Sequence, residues 1–149
     1  MAKFVYRMQN ILNLKTKLET QAKNDFAVAN GIVREEEEKL DRLYARRRDY
    51  EEHLKDLYTE SLSVFDIRET ANAIDIMDYQ ISLQRENLKR ARAALELARN
   101  ALQEAMQERQ TQEKLRENAF EVFKEEVKAQ ESKEIDELVS YRFGQAKED

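Results

Sequence analysis

The chain has no cysteine and no proline, and it has only two glycines in 149 residues. The absence of cysteine excludes a disulfide framework and a thiolate metal site, and it fits a reducing compartment. A globular domain with several tight turns uses more glycine and proline than this. The composition therefore predicts long helices with few turns and no thick central core.

Long apolar runs and catalytic motifs are missing as well. Residues 1–14 contain no sustained apolar stretch, so no secretory signal is expected, and no segment approaches the roughly 20 apolar residues of a membrane span. The single histidine, His53, has no second histidine or cysteine near it, and neither glycine belongs to a phosphate-binding loop. Since two helices form no enclosed pocket, the sequence predicts no enzyme activity, no cofactor and no small-molecule substrate.

Charged residues are abundant: they make up 38% of the chain, with a net charge of −5. Basic residues cluster at positions 46–48 and 89–92, but acidic runs at 35–38 and 49–52 flank the first cluster. Nucleic-acid binding needs a coherent basic surface, so the pattern predicts solvent-exposed helix faces with mixed ion pairs and no nucleic-acid partner. A weak divalent-cation site at residues 35–38 is the alternative to a plain acidic face.

Residues 74–105 carry the clearest pattern. Apolar residues recur at alternating steps of three and four, which is the period of a left-handed coiled-coil seam. From Leu88 onwards leucine alternates with alanine, so every second layer leaves space for larger side chains of a partner helix. The predicted seam of this helix is Ile74, Met77, Ile81, Gln84, Leu88, Ala91, Leu95, Ala98, Leu102 and Ala105.

A similar seam in the N-terminal half predicts a first helix over about residues 3–60. Its two consecutive steps of four, from Leu18 to Ala22 to Phe26, indicate a stutter that locally unwinds a supercoil. Gly31 indicates a local weakness without a full break. The predicted seam contains three charged positions and consists of Phe4, Met8, Ile11, Lys15, Leu18, Ala22, Phe26, Ala29, Val33, Glu36, Leu40, Leu43, Arg47, Tyr50, Leu54, Leu57 and Ser61.

The seam pattern loosens at residues 61–64, where we predict a turn. Ser63 is suited to cap a second helix over about residues 65–142, and Asp66 in its first turn favours the helix dipole. A short turn folds two helices into an antiparallel hairpin. The predicted fold is all-α: a long antiparallel two-helix coiled-coil hairpin with a C-terminal helical overhang, forming a single domain over residues 1–149. Leu43 is expected to face Ile81, and Phe4 to face residues 120–122.

The second predicted helix is longer than the first, so from about residue 125 it has no partner within the hairpin. We predict that this overhang is helical to Arg142 and stops at Gly144, with a disordered tail over residues 145–149. An amphipathic helix without a partner is suited to binding another protein. Its apolar side chains are Val127, Ile135, Leu138, Val139, Tyr141 and Phe143.

Two terminal motifs narrow the interpretation. Residues 4–12 read F-V-Y-R-M-Q-N-I-L, and residues 133–138 read K-E-I-D-E-L. The first resembles the F-x-(Y/F)-R-L-Q-x-(V/L)-L start of the FliJ family, and the second resembles that family's C-terminal K-x-x-D-E-(L/F) segment. Between them the length, the seam and the turn position are also similar, so the resemblance to this family of the flagellar type III export apparatus covers nearly the whole chain.

The resemblance implies a non-enzymatic stalk and adaptor of the flagellar export ATPase. FliJ proteins look like the central stalk of rotary ATPases, and their C-terminal helix enters the hexameric ATPase ring (FliI-like). They also contact the export gate protein (FlhA-like) and export chaperones. The implied location is the cytoplasm, with recruitment to the inner-membrane face at the flagellar base and membrane contact only through the gate.

The resemblance also implies candidate residues. The ATPase-ring candidates are Ile135, Asp136, Glu137, Leu138 and Arg142, and the gate and chaperone candidates are Leu43, Tyr50, Ala73 and Met77. The chain lacks the aromatic ring that the family has near Ala73 and the polar ring that it has near Gln84. Hairpin packing is the favoured role of Leu43, Tyr50 and Met77, because these three also lie on the predicted seam.

Two alternatives stay open from the sequence. The chain is a self-associating coiled-coil scaffold if the overhang pairs with another copy. It is a central-stalk subunit of another rotary or type III secretion ATPase if the two terminal motifs are not specific.

Overall fold

The computed structural model describes residues 2–60 and 63–148, and its secondary structure in these ranges consists of two α-helices without strands. Helix α1 spans Gln9–Glu60 and helix α2 spans Val64–Glu148. The lack of proline and the many Ala, Leu, Glu, Lys and Arg residues account for helices of this length. Cross-helix contacts join α1 and α2 in antiparallel order, which confirms the all-α hairpin.

The packing contacts divide the chain into two compact units. The middle unit contains Gln21–Gln103, and the terminal unit combines Met1–Thr20 with Glu104–Asp149. Each unit contains a stretch of α1 and a stretch of α2, so each has its own interhelical seam. A single domain over residues 1–149 stays a prediction.

The middle unit has an apolar seam. Val33, Leu88 and Ala91 form a buried cluster, against which Leu40 and Leu95 pack. The α2 positions predicted for the seam between residues 74 and 102 are all buried or half-buried, which confirms this part of the pattern. Helix α1 passes through residue 31 without interruption, and no glycine has a positive φ.

Polar seam residues of the middle unit bond across the two helices. The Gln84 side-chain amide donates to the backbone carbonyl oxygen of Glu36 at 3.0 Å and also to the Glu36 carboxylate. The Arg47 Nε donates to the Asp78 carboxylate at 2.5 Å. The bonds of Gln84 satisfy a buried side chain that would be costly to leave unpaired, whereas the Arg47–Asp78 pair lies at the edge of the seam. The hydrogen bond from Gln84 lowers the pKa of Glu36 against the opposing effect of burial, and Lys39 adds to the lowering.

The terminal unit has a more polar seam. Leu12 and Glu19 are its buried α1 residues. The Arg109 guanidinium donates to the Glu19 carboxylate and, at 2.7 Å, to Glu113, while Lys15 Nζ lies 2.9 Å from a Glu108 carboxylate oxygen. The hydrogen bond to Glu19 is the main cause that raises the pKa of Arg109.

The predicted seam is wrong at Met8, Ile11 and Leu18, because all three side chains are exposed. Leu12 and Glu19 take the inward positions instead, so the steps of three and four continue without the predicted stutter. The physical reason is long-range: Arg109 on α2 bonds the carboxylate of Glu19, which makes burial of this charged side chain possible.

Helix α1 starts at Gln9, later than the predicted residue 3. Phe4 and Tyr6 instead lie in a non-helical segment, with the 78%-exposed Val5 between them. Phe4 contacts Phe120 and Phe123 with ring centroids 5.1 Å and 5.4 Å apart, so the predicted facing of Phe4 and residue 120 is confirmed. An extended backbone sends alternate side chains to the same side, which allows Phe4 and Tyr6 to pack together on α2.

The remaining helix ends differ little from the prediction. The Asp66 backbone N–H donates to Ser63 Oγ at 3.4 Å, which confirms Ser63 as the cap of α2. Ser61 and Leu62, and with them most of the predicted turn, lie outside the described residues. The predicted stop at Gly144 is wrong, because α2 continues to Glu148; a glycine with helical φ interrupts no backbone hydrogen bond.

Candidate partner-binding surfaces

The overhang, defined as residues 125–148 of α2, is helical and almost entirely exposed. Its single half-buried side chain among the described ones is Val127, and residues 128–146 are all exposed. Ala2, Phe123 and Val127 line a shallow groove where the N-terminal segment ends against α2. Beyond this groove, residues 135–146 are exposed on every side of the helix.

The five ring-binding candidates do not share one face of the overhang. Successive residues of an α-helix are about 100° apart, which places Ile135, Leu138 and Arg142 on one side. Asp136 lies at the edge of that side, and Glu137 lies opposite.

Val139 joins the first group, and we call Ile135, Leu138, Val139 and Arg142 the overhang face. Its three aliphatic side chains are 59–60% exposed, and Arg142 is exposed as well. Such a face suits a partner surface that is apolar and carries an acceptor for the guanidinium.

The four mid-hairpin candidates are less accessible. Leu43, Tyr50 and Ala73 are half-buried, and Met77 is only 3% exposed. Met77 therefore acts as a core residue of the middle unit in this structure. The first three residues present edges of their side chains, so a partner at this position would contact them only in part.

A polar contact near these candidates was not predicted from the sequence. Arg85 on α2 donates to the Tyr44 hydroxyl from Nε at 2.8 Å and also from a terminal nitrogen, and its guanidinium lies 5.5 Å from the Tyr44 ring centroid. Neither residue occupies a predicted seam position, so periodicity alone gives no signal for this pair.

The exposed apolar residues of the terminal unit were also missed as a surface. Ile11, Leu14 and Leu18 on α1 are 39%, 53% and 45% exposed. The sequence does contain a signal for them, because aliphatic residues at steps of three and four also fit a second stripe beside the seam. Two of them, Ile11 and Leu18, were instead assigned to the predicted seam as core residues.

The described part of the chain shows no arrangement for metal chemistry. In residues 2–60 and 63–148, no group of three or more His, Cys, Asp or Glu side chains is placed to hold a metal ion. His53 is an exposed residue of α1. Among the helices described, none is long and apolar enough to cross a membrane.

Comparison with protein families gives a match over nearly the whole chain. The family model described as Flagellar FliJ protein matches residues 4–148. The chain belongs to the FliJ family. It is thereby a protein associated with flagellar export, in a family of non-catalytic export components. Comparison with curated proteins gives no match, and comparison with solved structures gives none either.

The FliJ-family match gives both terminal motifs a structural context. Phe4 and Tyr6 of the opening motif hold the N-terminal segment on α2: Phe4 packs on two phenylalanine rings, and the Tyr6 hydroxyl donates to Gln112 at 3.4 Å. Ile135 and Leu138 of the closing motif lie on the overhang face. One motif thus anchors the terminal unit, while the other contributes exposed residues.

Proposed function

We propose that this FliJ-family protein is a non-enzymatic stalk and adaptor of the flagellar export ATPase, and that its overhang enters the hexameric ATPase ring. The observation that carries the proposal is the continuous helix over residues 128–146 with every described side chain exposed. A helix this exposed has its packing surface available for a surrounding partner. Its motif residues Ile135 and Leu138 are the principal contacts. Arg142 lies further along the helix but projects in a direction between theirs.

The proposed mechanism is a bias of ring conformations. A single helix inside a ring of identical subunits touches each subunit with a different part of its circumference. The overhang face carries three aliphatic side chains and Arg142, whereas the opposite side carries Lys133, Glu137 and Ser140. A ligand shifts an equilibrium only by its differential affinity for the two states, so this asymmetry lets the overhang favour different states in different subunits.

The hairpin is the proposed adaptor for the export gate and the export chaperones. Leu43, Tyr50 and Ala73 are half-buried and would supply the direct contacts. Met77 would act indirectly, by holding the two helices in place from the core. Binding to the gate would recruit the protein from the cytoplasm to the inner membrane at the flagellar base.

A matched pair of substitutions tests the ring contact. Leu138→Glu places a charge on the overhang face, and Ser140→Glu places the same charge on the side away from it. We expect Leu138→Glu to weaken binding to the export ATPase about tenfold or more, since a charge in an apolar contact is costly. Ser140→Glu is expected to bind within about twofold of the unchanged protein. Binding and steady-state ATP hydrolysis are measured with the purified ATPase.

A truncation after Gln130 gives the complementary test. It removes the overhang face and leaves the seams of both units intact, so the helicity measured by circular dichroism should fall only by the share of the removed residues. We expect loss of ATPase binding and of any stimulation of hydrolysis. Stimulation by the truncated chain at the level of the full chain would refute the ring mechanism.

A further inference from the structure

The terminal unit leaves a second apolar surface exposed besides the overhang face. We call Ile11, Leu14 and Leu18 the α1 stripe; they follow one another at steps of three and four on α1 and are 39–53% exposed. On the neighbouring side of the same helix, Glu19 is buried and bonded to Arg109. Burying a charged residue while large aliphatic ones face water is the reverse of what folding alone favours. This arrangement points to a partner that covers the α1 stripe.

Within one copy, the overhang face cannot be that partner. Phe4 packs on Phe120 and Phe123, so the α1 stripe lies beside residues of α2 that precede these rings. Ile135 lies on the other side of the rings, and α2 is a continuous helix between them. A straight helix carries its overhang away from α1 by about 1.5 Å per residue. The two apolar surfaces can therefore meet only between two copies of the chain.

The two surfaces match in spacing. If the overhang of one copy lies parallel to α1 of another, the alignment that sets Ile135 beside Ile11 also sets Leu138 beside Leu14. Leu18 then lies beside Arg142, whose aliphatic stem can cover it. Both stripes repeat with the helical period, so the contact extends over about two turns on each helix.

One pair of opposite charges lies beside the two surfaces. The first acidic residue of the sequence is Glu19, so the charged residues before it are all basic: Lys3, Arg7, Lys15 and Lys17. The same parallel alignment sets Glu131 of one copy beside Arg7 of the other. Arg7 precedes α1 in an exposed turn, and Glu131 is exposed in the overhang, so both side chains can form a new ion pair.

We propose that two copies of the chain exchange their overhangs, so that each overhang face lies on the α1 stripe of the other copy. The contact is made twice under a two-fold axis, which is the usual symmetry of a homodimer. A further consequence rests on the proposed function: the dimer covers the surface that enters the ATPase ring, so dimerisation and ring binding compete for the overhang.

The test is analytical ultracentrifugation of the full chain, without ATPase, over a concentration range of micromolar to hundreds of micromolar. We expect a reversible monomer–dimer equilibrium. Arg7→Glu and Glu131→Arg should each weaken dimerisation about tenfold or more, because each places like charges together at both contacts. The double variant restores opposite charges and should recover most of the dimer. Lys133→Glu, on the side of the overhang away from its apolar face, is the matched control and should change little.

Two results would overturn the exchanged dimer. One is a monomer over the whole concentration range. The other is a dimer whose double variant is weakened by the sum of the two single effects, with no recovery of dimerisation. If the chain is monomeric and Leu14→Glu abolishes ATPase binding, the α1 stripe belongs to the ring contact; the proposed function then survives and the dimer does not. If charge rescue succeeds but the chain truncated after Gln130 still stimulates the ATPase, the dimer stands and the ring mechanism fails.

Discussion

The middle and terminal units are both formed by α1 packed against α2, but different kinds of side chain lie between the helices in each. In the middle unit Val33, Leu88 and Ala91 form an apolar cluster. In the terminal unit the inward positions include Glu19, which Arg109 neutralises, while aliphatic residues of α1 face water. The first arrangement gains stability from removing apolar surface from water. The second gives up part of that gain and leaves apolar surface available for binding.

The difference separates residues that pack the two helices together from apolar residues that stay exposed. Residues of the middle unit hold α1 and α2 together, and their prediction from periodicity succeeds. The terminal unit contains both family motifs, the overhang and the α1 stripe. Because its own seam needs few apolar residues, its exposed ones are available for a protein partner.

The strongest test of this comparison truncates one buried side chain of the middle unit and one exposed side chain of the terminal unit to alanine. Met77→Ala removes a side chain that is 3% exposed, so we expect the free energy of unfolding to fall by about 2–3 kcal/mol. Leu138→Ala, on the overhang face, is expected to change it by less than about 0.5 kcal/mol. Urea unfolding followed by circular dichroism measures both, and equal effects would contradict the division of roles.

A second test concerns the buried carboxylate of the terminal unit. Glu19→Gln removes the charge that bonds to Arg109, and it leaves the guanidinium with a weaker acceptor. We expect amide hydrogen exchange in the terminal unit to become about tenfold faster. Glu117→Gln is the control, because Glu117 is an exposed residue paired with Lys114 at 3.6 Å. If both variants exchange alike, Glu19 does not hold this seam.

The two glycines allow the same substitution at two places on the helices. Gly31 and Gly144 are both helical, and a Cβ built on either meets nothing within 4 Å. Gly31→Ala should raise the free energy of unfolding by about 0.5–1 kcal/mol, because alanine favours the helix. Gly144→Ala, near the end of the overhang, should give less than about half of that. Thermal unfolding measures both, and a larger effect at Gly144 would show that the overhang unfolds together with the seams.

The smallest expected effect is the pH dependence of Glu36 in the middle unit. The hydrogen bond from Gln84 lowers the pKa of Glu36 in the folded chain, so the ionised carboxylate favours folding above the ordinary pKa of about 4.3. This contribution is lost as the pH falls through the lowered pKa. The melting temperatures of the unchanged protein and Glu36→Gln should therefore differ at pH 7 and converge in acid. A difference that grows in acid would show that the sign is wrong.

Sequence periodicity predicted the α2 seam because its inward residues are apolar and its neighbours are charged. Ile81 and Leu88 have no apolar neighbour in the sequence. Met77 follows Ile76, but the steps of three and four select Met77, and Ile76 is exposed. The pattern failed at Ile11, where the adjacent Leu12 fits equally well, and at Leu18, where the inward residue Glu19 is charged and an apolar pattern cannot select it. The candidate residues of the overhang were identified through the family motif. Their exposure agrees with a helix that extends beyond the end of α1.

By itself, the sequence determined two long helices and their pairing, because helix propensity and periodicity act locally along the chain. It also determined family membership through motifs at both ends. Tertiary structure alone decided which residues of the terminal unit face inward. The rings of Phe120 and Phe123 hold Phe4 in a non-helical segment, and Arg109 makes burial of Glu19 favourable. Both effects come from side chains about 90 or more positions away, a distance over which local pattern carries no information.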